Sequence, residues 1–216
     1  MRYEGLILDV DGVIVPSLHF WYRANSLAGT LDLIHGVYLP QYFDGKVDYR
    51  FLNSTAVRLL KENKVALGDI RKIVEEAPIR PGVETFVDTF RKRHSDKIAL
   101  LSAGMDVLVD DVKRRLKINY SLCNILEMEN GDYTGNVTYF VDDRELNKGL
   151  GARKLCEEMG VDPKNVLAVV DGLEDVPLCD VVGTVIAVNP QHKTLEEKAG
   201  VTLKNVEDLS DLLKYI

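Results

Sequence analysis

Four short apolar runs constrain the fold of this chain more than any other feature. Residues 6–10, 98–101, 166–170 and 185–188 are each of strand length, and none alternates apolar with polar side chains. Strands of that kind are buried on both faces, as in a parallel sheet covered by helices on each side. The intervening segments supply the helices. Val83, Phe86, Val87 and Phe90 recur at the i, i+3, i+4, i+7 spacing of one helix face. So do Met105, Leu108, Val109 and Val112, then Ala152, Leu155, Cys156 and Met159, and finally Leu209, Leu212, Leu213 and Ile216. Such alternation predicts an α/β fold with a doubly wound, Rossmann-like parallel sheet.

Two stretches break the rhythm. Residues 17–80 hold no buried-strand run but carry helix-like groupings such as Val57, Leu59, Leu60 and Ile70, Ile73, Val74. A small helical cap inserted after the first strand is therefore expected. The turn Pro78-Ile79-Arg80-Pro81-Gly82 marks its seam. The expected division is a core domain of residues 1–16 plus 81–216 and a cap of residues 17–80. Within residues 125–139, Asn130-Gly131 separates Leu126–Met128 from Tyr133–Val137, and Asn-Gly favours the positive φ angles of a tight hairpin turn. A small β-hairpin is predicted there.

Charge and cysteine usage narrow the partners. The 216 residues are 46% hydrophobic and 28% charged, ordinary for a globular protein, with a formal net charge of −7. That field repels polyanions, so no nucleic-acid or anionic-membrane partner is expected. The runs Arg91-Lys92-Arg93 and Lys113-Arg114-Arg115 read as solvated helix faces. Cys123, Cys156 and Cys179 form no metal or disulfide pattern, and His19, His35, His94 and His192 have no ligand spacing and read as structural or exposed. No stretch reaches the roughly 20 apolar residues of a membrane helix, and Leu6-Ile7-Leu8 is too short for a signal peptide. A cytoplasmic monomer or homodimer is the expectation.

In a parallel α/β sheet, ligands bind beyond the carboxyl ends of the strands, so polar residues there come first. The first strand runs into Asp9-Val10-Asp11-Gly12, the second into Ser102-Ala103-Gly104, and the third into Asp171-Gly172-Leu173-Glu174-Asp175; a helix starts near Lys148-Gly149. An isolated Asp-x-Asp-Gly is an ordinary strand-ending turn. A second acidic cluster on a neighbouring strand end changes that reading, because crowded carboxylates repel unless a divalent cation or a proton offsets them, and Mg²⁺ is the expected cation. Ser102 reads as a helix N-cap that doubles as an oxyanion cradle. Lys148 alone would be a solvated lysine, and its place in the set marks it out.

Asp9-Val10-Asp11-Gly12-Val13, Ser102, Lys148 and Asp171-x-x-Glu174-Asp175, in that order, resemble the four motifs of the haloacid dehalogenase superfamily of phosphatases. Leu59-Leu60-Lys61, Ser102-Ala103-Gly104-Met105-Asp106 and the segment 131–135 are similar to its phosphoserine phosphatase branch. The resemblance implies a Mg²⁺-dependent phosphatase acting on a small phosphate monoester. Asp9 would attack phosphorus to form an aspartyl-phosphate, and Asp11 would protonate the leaving oxygen and later activate water. Mg²⁺ would be held by the Asp9 carboxylate, the Asp11 main-chain carbonyl and Asp171, with Asp175 nearby. Ser102, the Ala103-Gly104 backbone and Lys148 would bind the phosphoryl oxygens.

This chain departs from the branch mainly where the substrate would be recognised. The branch's acidic handle for an amino group falls at Leu18 or its neighbours Ser17 and His19, and Ala56 stands where an Arg would bind a carboxylate. Glu174 replaces an Asn, and Val170 replaces a Gly before Asp171. Arg50 and Arg23 are the remaining candidates for substrate binding, and Trp21, Tyr22, Tyr38, Tyr42 and Phe43 make the cap segment aromatic. An ester lacking the amino group is therefore expected to be preferred over phosphoserine. A phosphomutase of the same fold, a phospho-accepting receiver module and a non-catalytic phospho-ligand-binding protein are the other readings. The cap and the second acidic pair weigh against the receiver.

Overall fold

The computed structural model describes residues 2–17, 19–140 and 147–216. Its sheet has seven strands: β1 (Gly5–Leu8), β2 (Ile98–Met105), β3 (Tyr120–Glu129), β4 (Asp132–Thr138), β5 (Val166–Val170), β6 (Thr184–Val188) and β7 (Val201–Leu203). They lie in the order β4-β3-β2-β1-β5-β6-β7, and every neighbouring pair is parallel except β3 with β4. The chain winds outward from β1 to β2 and β3 on one side, then returns to β5 and winds out the other way. The crevice therefore falls at the ends of β1, β2 and β5. In register, Leu8 lies beside both Leu100 and Val169, so Asp9, Ser102 and Asp171 emerge at nearly one level.

Consecutive β1 side chains enter opposite layers. Leu6 and Leu8 pack in one hydrophobic cluster with Phe86 and Phe90, while Ile7 packs in another with Leu155 and Met159. Both-face burial is why the strand sequences do not alternate.

Between β1 and β2 the chain forms the helical insert: α1 (His19–Leu27), α2 (Leu31–Leu33), a π-helical turn over Ile34–Tyr38, α3 (Leu39–Phe43), α4 (Tyr49–Glu62) and α5 (Leu67–Glu75). α4 starts at Asp48, whose carboxylate accepts the Phe51 N–H at 2.6 Å, and buries Leu52, Ala56, Val57 and Leu60 along one face. The β3-β4 hairpin braces this insert. Tyr133 donates its hydroxyl to the Val65 carbonyl at 2.6 Å, and Lys61 pairs with Asp132 at 2.7 Å. Its turn holds Asn130 at φ 51° and Gly131 at φ 85°, as the Asn-Gly signal requires.

The core helices are α6 (Val83–Arg93), α7 (Asp106–Leu116), α8 (Lys148–Met159) and α9 (Lys193–Lys198), with 3₁₀ segments at Leu173–Asp180 and Leu209–Tyr215. Three details differ from the sequence expectation. The C-terminal segment is 3₁₀ rather than α, and Leu209 and Leu212 are its buried residues, three apart as a three-residue turn demands. β3 begins at Tyr120 and pairs with β2 before it enters the hairpin; Ser121 and Asn124 interrupt any apolar run there. β7 is a three-residue edge strand, too short to leave a pattern. Among the described residues, no helix is long and apolar enough to cross a membrane.

Candidate active site

Asp9 follows β1 directly and continues its ladder through its N–H to the Val169 carbonyl at 3.0 Å. Its Oδ1 accepts the Val10 N–H at 2.7 Å, and its Oδ2 accepts from Lys148 Nζ at 2.8 Å. Lys148 is the first residue of α8, which Asn147 caps, and it is fully buried. The same ammonium donates to Asp175 Oδ1 at 2.6 Å. Asp175 Oδ2 in turn accepts the N–H groups of Asp171 and Gly172 at 3.2 and 2.9 Å, fixing the loop after β5.

The loop that follows Asp9 is held from behind by Arg80. Its guanidinium donates to the carbonyls of Gly12, Val13 and Val206, and its own N–H donates to Ile14. Gly12 has φ 82°, and a Cβ there would fall 1.9 Å from Asp171 Oδ2, so both conformation and close approach require glycine. Gly104 matters for space: a Cβ would lie 2.9 Å from Asp11 Oδ2.

Ser102 is not a helix cap. It lies within β2, the residue before α7 is Met105, and Ser102 Oγ accepts the Gly104 N–H at 2.9 Å across its own loop. The Ala103 carbonyl accepts from Asn124 Nδ2 at 2.6 Å and from the Tyr49 hydroxyl of α4, which ties the insert to this loop.

Asp9, Asp11, Ser102, Ala103, Gly104, Asp171 and Glu174 line one cleft. Lys148 and Asp175 lie immediately behind it. Trp21, Tyr42 and Phe43 of the insert's aromatic set also line it. Tyr22 and Tyr38 instead pack against His35 and Phe51. The structure does not bring Arg23 or Arg50 into this wall: Arg23 pairs with Glu76 at 2.8 Å, and Arg50 lies over the Tyr139 ring at 4.5 Å. Ala56 lines the cleft, and Leu18 falls outside the described residues. His35, expected to be structural or exposed, is part of the wall.

Sequence reasoning missed Gln191, Tyr49 and Asn53. Gln191 Nε2 donates to Asp171 Oδ2 at 2.6 Å and to Ser17 Oγ at 2.7 Å. Gln191 follows the end of β6, so the strand-end rule that found the acids applies to it too. Tyr49 and Asn53 sit on an amphipathic helix and carry no local signal.

Burial and crowding shape the charges. Asp9 and Asp171 are held well above the usual carboxylate range, first by burial and then by their neighbours. Burial raises Asp11 to about 6 and also raises Glu174. For Lys148, burial pulls its basicity down, but Asp175, Asp9 and Glu174 outweigh it and leave the ammonium firmly charged.

Carboxylate oxygens of Asp9, Asp171 and Asp175 lie within 4.8 Å of one another. Such an all-oxygen set suits a hard divalent cation. Two further observations fit one. Lys148 is the ammonium bonded to Asp9 and Asp175, while Asp11, Asp171 and Glu174 crowd the same cleft. Asp11 Oδ1 is buried with no hydrogen-bond partner among the described residues.

The profile of the haloacid dehalogenase-like hydrolases matches residues 6–180. A phosphoserine phosphatase of Methanocaldococcus jannaschii is 28% identical over 211 residues, 98% of this chain and 96% of its own. One of Archaeoglobus fulgidus is 28% identical over 210 residues, covering 97% of this chain; this chain spans 59% of that longer relative. The solved phospho-aspartyl intermediate analogue of phosphoserine phosphatase superposes with a TM-score of 0.85 at 24% identity, covering 100% of both chains, a likeness that carries the fold. With the four motifs gathered at one sheet edge and the match running across most of its length, the chain belongs to the haloacid dehalogenase-like hydrolase family, in its phosphoserine phosphatase branch.

Proposed function

We propose that this protein is a Mg²⁺-dependent phosphatase that hydrolyses a small phosphate monoester through a phosphoaspartate at Asp9. The observation that carries the reading is Asp9 itself: a buried carboxylate at the end of the central strand, held by Val10 N–H and Lys148 and facing a cleft.

Asp9 would attack phosphorus, and the ester oxygen would leave with a proton from Asp11. A carboxyl raised to about 6 is partly protonated near neutrality, which suits it to that donation. The resulting Asp11 carboxylate would then take a proton from the water that cleaves the phosphoaspartate. An ammonium has three protons; Lys148 directs two to Asp9 and Asp175, and the third can meet a phosphoryl oxygen. Ser102 Oγ and the Ala103 backbone would bind the other equatorial oxygens. Asp9, the Asp11 main-chain carbonyl and Asp171 would hold Mg²⁺, with Asp175 behind them, and the ion when bound supplies charge neutralisation to the transferring group.

The test is phosphate release from a panel of small phosphate esters with Mg²⁺, with phosphoserine as the reference ester of the relatives, run beside Asp9→Asn. Asp9→Asn should fold normally, release no phosphate and trap no acid-stable label from a radiolabelled ester. Wild-type turnover in that variant would sink the phosphoaspartate route, and conversion of an ester to its isomer without release would favour the mutase.

A further inference from the structure

The cleft has two walls of opposite chemistry. The sheet edge contributes Asp9, Asp11, Asp171 and Ser102, assigned above to the phosphoryl group and its cation, together with Glu174. The insert contributes Trp21, Ile34, Leu39, Tyr42, Leu52 and Ala56. Among the described residues, no Lys, Arg, Asp or Glu of the insert lines the cleft.

The polar side chains of Tyr49, Asn53 and His35 in the insert wall are engaged within the protein. The Tyr49 hydroxyl donates to the Ala103 carbonyl. Asn53 Nδ2 donates to Tyr49 Oη at 3.2 Å, and Asn53 Oδ1 accepts the Tyr139 hydroxyl at 3.3 Å. His35 Nε2 lies 3.5 Å from Asn25 Nδ2, and burial keeps that imidazole below its usual basicity, hence neutral near pH 7. A carboxylate placed against this wall would lose its water without gaining a charged partner and would face the acids opposite, whereas an ammonium would find a carboxylate only across the cleft, on the sheet edge where Glu174 lies.

Resting on the phosphatase reading, we infer that the insert wall selects phosphate monoesters of a neutral, apolar alcohol of aromatic size rather than of an amino acid. The wall's rings offer edge-to-face packing to an aromatic body, and its aliphatic residues exclude water from it. The phosphoryl end would lie over Asp9 while the apolar end meets Leu39, Leu52 and Trp21.

Binding tests this independently of turnover. Calorimetric titration of the Mg²⁺-loaded protein would use two phosphonates that cannot be hydrolysed: 2-phenylethylphosphonate, the isostere of benzyl phosphate, and 2-amino-4-phosphonobutanoate, the isostere of phosphoserine. The aryl compound should bind at least about tenfold tighter. Leu39→Ala, at a half-buried position of a short helix, should weaken aryl binding about tenfold and leave the amino-acid compound unchanged. Equal or tighter binding of the amino-acid phosphonate, no aryl binding, or equal losses in Leu39→Ala would each overturn the inference. Acetyl phosphate, too small to reach the insert, separates the two readings. Its Asp9-dependent hydrolysis without aryl preference keeps the phosphatase and sinks the selectivity, whereas aryl preference without any hydrolysis does the reverse.

Discussion

Lys148 Nζ lies 2.8 Å from Asp9 Oδ2, with both side chains shut off from solvent. The same ammonium is 2.6 Å from Asp175, so one cation serves both the proposed nucleophile and the residue that orders the β5 loop. Removing one partner of a buried ion pair leaves the other uncompensated, which typically costs about 3 to 5 kcal/mol. Lys148→Met should therefore lose stability on that scale in urea denaturation as well as lose phosphate release. Unchanged stability would mean that the carboxylates are neutral in the resting fold and that the pair contributes nothing.

The legibility of this site follows from its position. Asp9 and Asp171 directly follow β1 and β5, Asp11 sits in the loop after β1, and Ser102 follows the apolar run 98–101 although β2 continues to Met105; such positions are readable because both-face burial leaves unbroken apolar runs. Lys148 was legible through its place in the motif order, although its complete burial was not, since lysine in isolation belongs to the surface. The insert was legible as helical but not as a wall. Leu39, Leu52 and Tyr49 look like the core-facing stripe of any amphipathic helix, and only the packing of α3 and α4 over the sheet edge turns that stripe toward a cleft. Arg23 and Arg50 show the converse: basic residues close in sequence, turned to Glu76 and Tyr139 by helix phase.

Gln191 links the β6 loop to Asp171 and to Ser17 at the entry of the insert. A donor that orients a carboxylate ligand typically contributes about 10- to 100-fold to metal affinity. Gln191→Leu should bind Mg²⁺ more weakly by a factor in that range, read from the dependence of thermal stability on Mg²⁺ concentration. An unaltered Mg²⁺ titration would remove the residue from that role.

His94 gives the fold a pH dependence of known sign. Tyr3 N–H donates to its Nδ1 at 3.2 Å, and its ring lies 5.4 Å from Tyr3 and 5.0 Å from Phe90. Burial, aided by Arg2 and Arg93, holds the imidazole below its ordinary value. Because the folded state binds the proton less readily than the unfolded chain, the contribution is present above the unfolded value of about 6.5 and is lost as pH falls below it toward the folded one. His94→Asn keeps an acceptor for Tyr3 without a titrating ring. Between about pH 7.5 and 5.5, its melting temperature should fall less than that of the wild type. Parallel pH profiles would exclude the mechanism.

Arg80 clamps the loop after Asp9, because one guanidinium reaches the carbonyls of Gly12, Val13 and Val206 at once. Those carbonyls belong to the turn that carries Asp11 and to a segment far away in sequence. Arg80 itself follows α5, so the contact ties the chain's return from the insert to the loop by which it enters. Arg80→Met would leave several partly buried carbonyls without donors while keeping most of the packing volume. A hydrogen bond to a charged group contributes about 1.5 to 3 kcal/mol, so a loss of roughly 2 to 4 kcal/mol in denaturant midpoints is expected. Arg80→Lys should recover less than half of it, since a single ammonium on a flexible stem cannot reproduce the planar fork. In the proposed mechanism the loop's position sets where Asp11 meets the leaving oxygen, so on that reading the variant should lose kcat more than it raises KM. Full stability in Arg80→Met, or full recovery in Arg80→Lys, would show that the turn holds its shape through its own Gly12–Val15 and Ile14–Val10 hydrogen bonds and needs no clamp.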